Sequence, residues 1–134
     1  MEDDTIVLFI VLRKSLHLDD KQIAYCVANA MQHFMYRYFK LQVGAVITHS
    51  SSLMNDNHLL STTKWLSSQA KKNIIDVDDD IWEKLKQQYP IGKDCFCLRE
   101  PELTNMDAET TLILWPSQYS DVPDYLKASR QDEG

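Results

Sequence analysis

The stretch Ile6-Val-Leu-Phe-Ile-Val-Leu12 is the longest apolar run in the chain, and it decides the fold class. Most of its residues are β-branched or aromatic. A run this short and this apolar is typical of a strand buried on both faces, as found in the middle of an α/β sheet. We therefore expect a buried strand near the start of the chain.

An amphipathic helix is predicted directly after this strand. Apolar side chains recur at helical spacing at Ile23, Val27, Ala30, Met31, Phe34 and Tyr38. Asp19 is a good N-cap, and Gln22 three residues later completes a capping-box pattern. Because function in α/β proteins tends to lie where a strand ends and a helix begins, the turn at residues 13–22 is the first place to look for a site.

The remaining elements predict a mixed sheet. We expect helices at 59–72, 78–89 and 122–130 and strands at 73–77, 94–99 and 109–115, while 41–47 fits either a helix end or a short extended piece. The last two strands are joined by a loop, so at least one antiparallel pair is expected. The predicted fold is α/β: one domain over 1–134, a three-layer sandwich with a mixed sheet of about four strands and helices on both faces. Residues 48–58 are expected to form a mobile loop, and 130–134 a frayed tail.

Composition and charge narrow the classes of function. The net charge of −6 is uneven, because residues 1–72 carry +2 and residues 73–134 carry −8. An acidic protein is a poor general binder of nucleic acid, although Arg13, Lys14 and Lys21 could serve one small anionic site. No stretch is long and apolar enough to cross a membrane, and the acidic N-terminus is unlike a secretory signal. A cytoplasmic protein without membrane contact is the expectation.

No strong catalytic or metal-binding motif is present. The chain has three glycines, too few for a phosphate-binding loop, and we expect neither a cofactor nor a metal. The odd number of cysteines argues against a disulfide framework, and buried thiols are the preferred interpretation of Cys26, Cys95 and Cys97. His17, in the turn, fits a solvated side chain better than a catalyst. Glu100 ends a strand, where a carboxylate acts as a general base or is simply solvated.

The turn and the first helix resemble a known family. Residues 11–30, VLRKSLHLDDKQIAYCVANA, resemble the opening of the type 2 peptidyl-tRNA hydrolases, where a strand ending in Arg is followed by DLKMGKGKVAAQCSHA. Later matches follow in the family's order: Trp65, the segment 72–75, the acidic helix start at 78–80, REPE at 99–102, TTLILWP at 110–116 and YLK at 125–127. Residues 42–60 have no counterpart. The resemblance implies the same three-layer fold.

The resemblance also implies site residues. Thr110 stands at the family's Thr and Glu100 where the family has Asp, while Lys21 lies between the positions of the two turn lysines. We take Lys21, Glu100 and Thr110 as catalytic candidates. The substrate-binding candidates are Arg13, Lys14, His17, Gln22, Cys26 and Asn29. The two lysine positions are Asp20 and Gln22 here, and Cys26 and Asn29 replace the family's helix Gln and His.

Three hypotheses follow from this comparison. In the first, the chain is a catalytically degenerate member that binds a protein, most naturally a basic one, or a small ligand. In the second, it is an active esterase on peptidyl-tRNA or a related acyl ester, in which Glu100 orients water while Thr110 and Lys21 stabilise the oxyanion. In the third, it is an unrelated small α/β protein. The partner is thus tRNA, a protein or a small ligand, and a homodimer is left open.

Overall fold

A four-stranded mixed sheet forms the centre of the molecule in the computed structural model, which describes residues 5–48, 56–100 and 108–128. The strands are β1 (Ile6–Arg13), β2 (Lys71–Val77), β3 (Cys95–Arg99) and β4 (Glu109–Gln118), in the order β2-β1-β4-β3. β1 and β2 run parallel, whereas β4 is antiparallel to both of its neighbours. The predicted mixed α/β sheet and its antiparallel pair are confirmed.

Helices cover both faces of the sheet. They are α1 (Asp20–Thr48), α2 (Asp56–Ser67), α3 (Asp79–Gln88) and α4 (Asp124–Ala128). Side chains of α1 and α2 pack in one core with Leu8, Ile10 and Ile113, and side chains of α3 and α4 pack in a second core with Val7, Phe9 and Val11. The three-layer arrangement is therefore confirmed. Of the helices that the structure describes, none is long and apolar enough to span a membrane.

The apolar run at the start of the chain is buried on both faces, as predicted. Alternate residues of β1 enter the two cores, and every residue from Val7 to Leu12 is at most 4% exposed. β4 behaves in the same way, with Leu112 and Leu114 in one core and Ile113 and Trp115 in the other. This double burial explains why neither central strand shows an alternation of apolar and polar residues.

Local polar contacts start two of the helices where the sequence predicts. The Asp19 carboxylate accepts a hydrogen bond from Gln22 N at 2.8 Å, and Gln22 Oε1 accepts one from Asp19 N at 2.9 Å. This reciprocal pair is a capping box. Asp78 caps α3 by accepting from Ile81 N at 3.1 Å.

Several element boundaries differ from the prediction. α1 continues through Gly44 to Thr48, and α2 ends at Ser67, not at residue 72. The helix ends there because Lys71 already pairs with Val7 in the parallel ladder between β1 and β2. The last helix begins at Asp124, not at residue 122. Of the predicted mobile loop at 48–58, residue 48 belongs to α1 and residues 56–58 belong to α2. The rest of that loop, 49–55, and the predicted tail lie outside the described residues.

Candidate functional site

Glu100 is the centre of a buried polar cluster at the end of the sheet where β3 finishes and β4 begins. Its side chain is only 2% exposed. Oε2 accepts a hydrogen bond from Asn29 Nδ2 at 2.9 Å, and Oε1 accepts one from the hydroxyl of Thr110. The Cys26 thiol lies 3.7 Å from Oε1 and also donates to it. Four residues that sequence analysis proposed for the site are thus in direct contact.

The helix α1 and a bulge in β4 position these groups. Cys26 and Asn29 are three residues apart on α1, so they lie on one face of the helix. In the ladder, Leu98 pairs with Thr111 and Arg99 pairs with Glu109, which leaves Thr110 as the extra residue of a β-bulge. A bulge redirects a side chain, and here it points Thr110 toward Glu100.

Two adjacent threonines of β4 are both buried, because this strand is covered on both faces. Thr110 and Thr111 are each 0% exposed. Their hydroxyl oxygens are 3.2 Å apart, and Thr110 Oγ1 also lies 3.2 Å from the carbonyl oxygen of Leu98. Because a hydroxyl has one proton, Thr110 donates to either Glu100 or Leu98 at a given moment, and Thr111 can donate to it in turn.

Cys26 donates a hydrogen bond in this cluster, and its surroundings disfavour the thiolate. Burial raises the pKa of the Cys26 thiol, and the nearby Glu100 carboxylate raises it further. A thiol with a raised pKa stays protonated at neutral pH, whereas a nucleophilic cysteine needs a lowered one. The preference for a buried, inert Cys26 is supported. The other two cysteines are also free, and burial raises the pKa of Cys95 to about 12 and of Cys97 to about 11.

The basic candidates in the turn do not join the cluster. Arg13 pairs with Asp79 at the start of α3, where Nε lies 3.3 Å from the carboxylate, and it also donates to the carbonyl oxygen of Glu109 at 3.2 Å. Gln22 is used in the capping box, and Lys21 is exposed on the first turn of α1. A separate hollow of about 140 Å³ lies beside the turn and is lined by Leu12, Arg13, Lys14, His17, Leu18, Ile23 and Asp76. The predicted site is therefore split between a buried cluster and an exposed turn.

Two cavities lie at the opposite end of the sheet. Each has a volume of about 510 Å³, and both include His58 and Trp115 in their walls. The two rings stack with centroids 4.8 Å apart and planes 11° apart. No local signal marks this pair, because the contact joins the start of α2 to the far part of β4.

His58 is held as a neutral ring in one tautomer. Its Nε2 lies 3.0 Å from the carbonyl oxygen of Lys93 and 3.1 Å from the carboxylate of Asp94. Since both partners are acceptors, Nε2 carries the proton. Burial lowers the pKa of His58 and outweighs the opposing effect of Asp94. Over the described ranges, no group of three His, Cys, Asp or Glu side chains is arranged to hold a metal ion.

Comparison with known proteins leaves the chain without an assigned family. No protein-family model matches it, and neither a curated protein nor a solved structure is significantly similar to it.

Proposed function

We propose that this chain is a non-catalytic relative of the type 2 peptidyl-tRNA hydrolases that acts by binding a small ligand. The proposal has two parts: kinship with that family, and loss of its chemistry. The main supporting observation is the burial of Glu100. This residue is 2% exposed, and its carboxylate accepts hydrogen bonds from Asn29 and Thr110.

Kinship is supported by the convergence of four aligned positions. The resemblance places Cys26, Asn29, Glu100 and Thr110 at functional positions of the family, although they come from distant parts of the sequence. In the structure they contact one another through Glu100. Cys26 and Asn29 are neighbours on α1, and Glu100 and Thr110 are neighbours across β3 and β4, so the contact between these two pairs is what favours kinship.

Loss of catalysis is supported by what surrounds the carboxylate. Ester hydrolysis by a general base needs a water molecule beside the base and donors placed where the oxyanion develops. Here Asn29 and Thr110 already donate to the carboxylate, and Cys26 and Thr110 are 0% exposed. The cluster therefore resembles a buried hydrogen-bond network more than a general base that is accessible to water and substrate.

Binding of a small ligand is supported by the cavities. Ligand sites are clefts of about 300–1,000 Å³, and each of the two large cavities has a volume of about 510 Å³. A basic protein partner is a further binding candidate, favoured by the exposed carboxylates Asp78, Asp79 and Asp80.

An active esterase is the second candidate, favoured by the direct Glu100–Thr110 hydrogen bond. In that case Glu100 orients water, and Thr110 and Lys21 stabilise the oxyanion. The cluster must then open to admit water and ester, and Lys21 must fold back from the surface.

A hydrolysis assay separates the two candidates. Purified chain is incubated with labelled peptidyl-tRNA, alongside Lys21→Ala, Glu100→Gln and the matched control Lys84→Ala on the opposite face. We expect release of the labelled peptide at the uncatalysed rate for all four proteins. Turnover that is lost in Lys21→Ala and Glu100→Gln but kept in Lys84→Ala would establish the esterase and end the proposal.

Binding of tRNA supplies an independent check. A tRNA-binding surface that neutralises several phosphates loses about 10³–10⁵ in affinity between 50 and 200 mM salt. We expect no such salt-sensitive binding from this acidic chain. Tight tRNA binding that weakens steeply with salt would contradict the proposal.

A further inference from the structure

We propose that the cavity between the middle of α1 and the start of β3 binds a small phosphate monoester that carries a flat ring. Its main lining residues are Tyr36, Arg37, Lys40, His58, Lys93 and Phe96. This inference names a ligand class for the binding role proposed above and rests on that role.

The charge of this cavity is opposite to that of the chain. Arg37, Lys40 and Lys93 line it, whereas no carboxylate does so among the residues that the structure describes. The whole chain has a net charge of −6, so a wall with three cations and no acid is unusual for this protein. Cations that share one concave surface create a positive potential that concentrates anions.

These three cations, unlike Arg13 and Lys86, are not paired with a carboxylate of the described residues. Lys86 lies 2.8 Å from Glu109 and 3.4 Å from Glu83, and Arg13 pairs with Asp79. Within the described ranges, Arg37, Lys40 and Lys93 form no ion pair. Their charges are available to an external anion, and phosphate, with up to two negative charges and three terminal oxygens, matches several donors at once.

Aromatic rings hold two of the cations and offer a surface for stacking. The Arg37 guanidinium lies 4.5 Å from the centroid of Phe96, and Lys40 Nζ lies 5.4 Å from the centroid of Tyr36. The Arg37 contact restrains the guanidinium, which reduces the entropy lost when it binds an anion. The Tyr36 ring is 61% exposed, so a flat ligand ring can stack on it.

The far wall of the cavity is rigid. His58 stacks on Trp115 and is fixed by the Lys93 carbonyl and the Asp94 carboxylate. Trp115 in turn meets Phe96 edge to face with centroids 5.2 Å apart. Asp94 directs its carboxylate to His58 and lines only the neighbouring cavity. The volume of about 510 Å³ suits a mononucleotide or an aryl phosphate.

Isothermal titration calorimetry with four probes tests the inference on the whole chain. AMP and phenyl phosphate carry both a ring and a phosphate, adenosine lacks the charge, and inorganic phosphate lacks the ring. We expect AMP or phenyl phosphate to bind more tightly than adenosine and inorganic phosphate. Binding of both points to aryl phosphates in general, and binding of AMP alone points to nucleotides.

Two variants and a control locate the binding. Arg37→Ala and Lys40→Ala should each weaken binding about tenfold, the loss expected for one charge-assisted hydrogen bond. Lys84→Ala on α3 removes the same charge from the other face of the sheet and should leave the affinity unchanged. Thermal unfolding of each variant shows whether it is folded. Because Lys40 is exposed, its replacement is not expected to destabilise the chain. Lys40→Ala therefore tests the site even if Arg37→Ala is unstable.

Three results would overturn the inference. In the first, neither AMP nor phenyl phosphate binds at concentrations up to about 1 mM. In the second, adenosine binds as tightly as AMP. In the third, neither Arg37→Ala nor Lys40→Ala changes the affinity for AMP or phenyl phosphate. The hydrolysis assay and the binding measurements are independent tests. A chain without hydrolytic activity that binds none of the probes overturns this inference alone. A chain that hydrolyses peptidyl-tRNA and binds AMP in this cavity overturns only the proposed loss of catalysis.

Discussion

The two ends of the sheet differ in whether their polar side chains are buried against one another or line a cavity. At the end where β3 finishes, Glu100 contacts Thr110, Asn29 and Cys26. Glu100, Thr110 and Cys26 are closed to solvent, and Asn29 is half-buried. At the other end, His58 and Trp115 form the shared wall of two open cavities. Residues that the sequence associates with catalysis thus form a buried polar cluster, while the two cavities of about 510 Å³ lie at the other end.

The same contrast appears in the charges. The closed end holds a carboxylate inside and exposes acidic residues at the starts of α1 and α3, including Asp20, Asp79 and Asp80. The open end presents Arg37, Lys40 and Lys93 around one cavity. We therefore expect an anion to bind more favourably at the open end, although the basic residues of the turn lie at the closed end.

The largest effect on stability is expected from Trp115 at the open end. Its side chain is 8% exposed and contacts Phe34, Phe96 and His58. Trp115→Ala should lower the free energy of unfolding by about 3–5 kcal/mol, measured by urea denaturation. Trp115→Phe keeps a ring against Phe34 and should cost less. An equal loss in both variants would show that the ring contacts do not stabilise this end.

A smaller effect is expected from Thr110 at the closed end. Thr110→Val keeps the shape of the side chain but removes a donor from the buried Glu100 carboxylate, and it should cost about 1–3 kcal/mol of unfolding free energy. Thr62 offers a matched control, because its buried hydroxyl has no hydrogen-bond partner in the described part of the chain. Thr62→Val should be neutral or stabilising. Equal effects of the two substitutions would mean that the Glu100 network contributes nothing.

The smallest effect is expected from protonation of His58. Its lowered pKa means that the folded state favours the neutral ring. The resulting stabilisation is present above the usual pKa of 6.5 and is lost as the pH falls through the lowered value, by at most about 1.4 kcal/mol per pH unit. NMR titration should find the His58 midpoint below 6.5. Asp94→Asn removes a contact that favours the charged ring, so it should lower the midpoint further. A midpoint above 6.5 would show that Asp94 outweighs burial.

Local sequence patterns predict the parts of the fold that depend on neighbours in the chain. The apolar run of β1, the capping box at Asp19 and Gln22, and the acidic helix start at 78–80 are all confirmed. Each depends on residues at most a few positions apart, so its physical cause is visible in the sequence.

Features that depend on distant contacts are less accessible to such patterns. α2 ends before Lys71 because that residue is paired with β1, and α1 passes Gly44 despite the low helix propensity of glycine. The bulge at Thr110 is set by the pairing of β4 with β3. The resemblance did bring Glu100, Thr110, Cys26 and Asn29 together as candidates, but it gave no sign that Glu100, Thr110 and Cys26 are closed to solvent.

NMR mapping during an AMP titration tests the difference between the two ends most directly. The account predicts that amide shifts change around Arg37, Lys40 and Lys93 and at the Trp115 indole, while Asn29, Glu100 and Thr110 keep their positions. Shift changes centred on Asn29, Glu100 and Thr110, with the Arg37 and Lys93 signals unmoved, would contradict it.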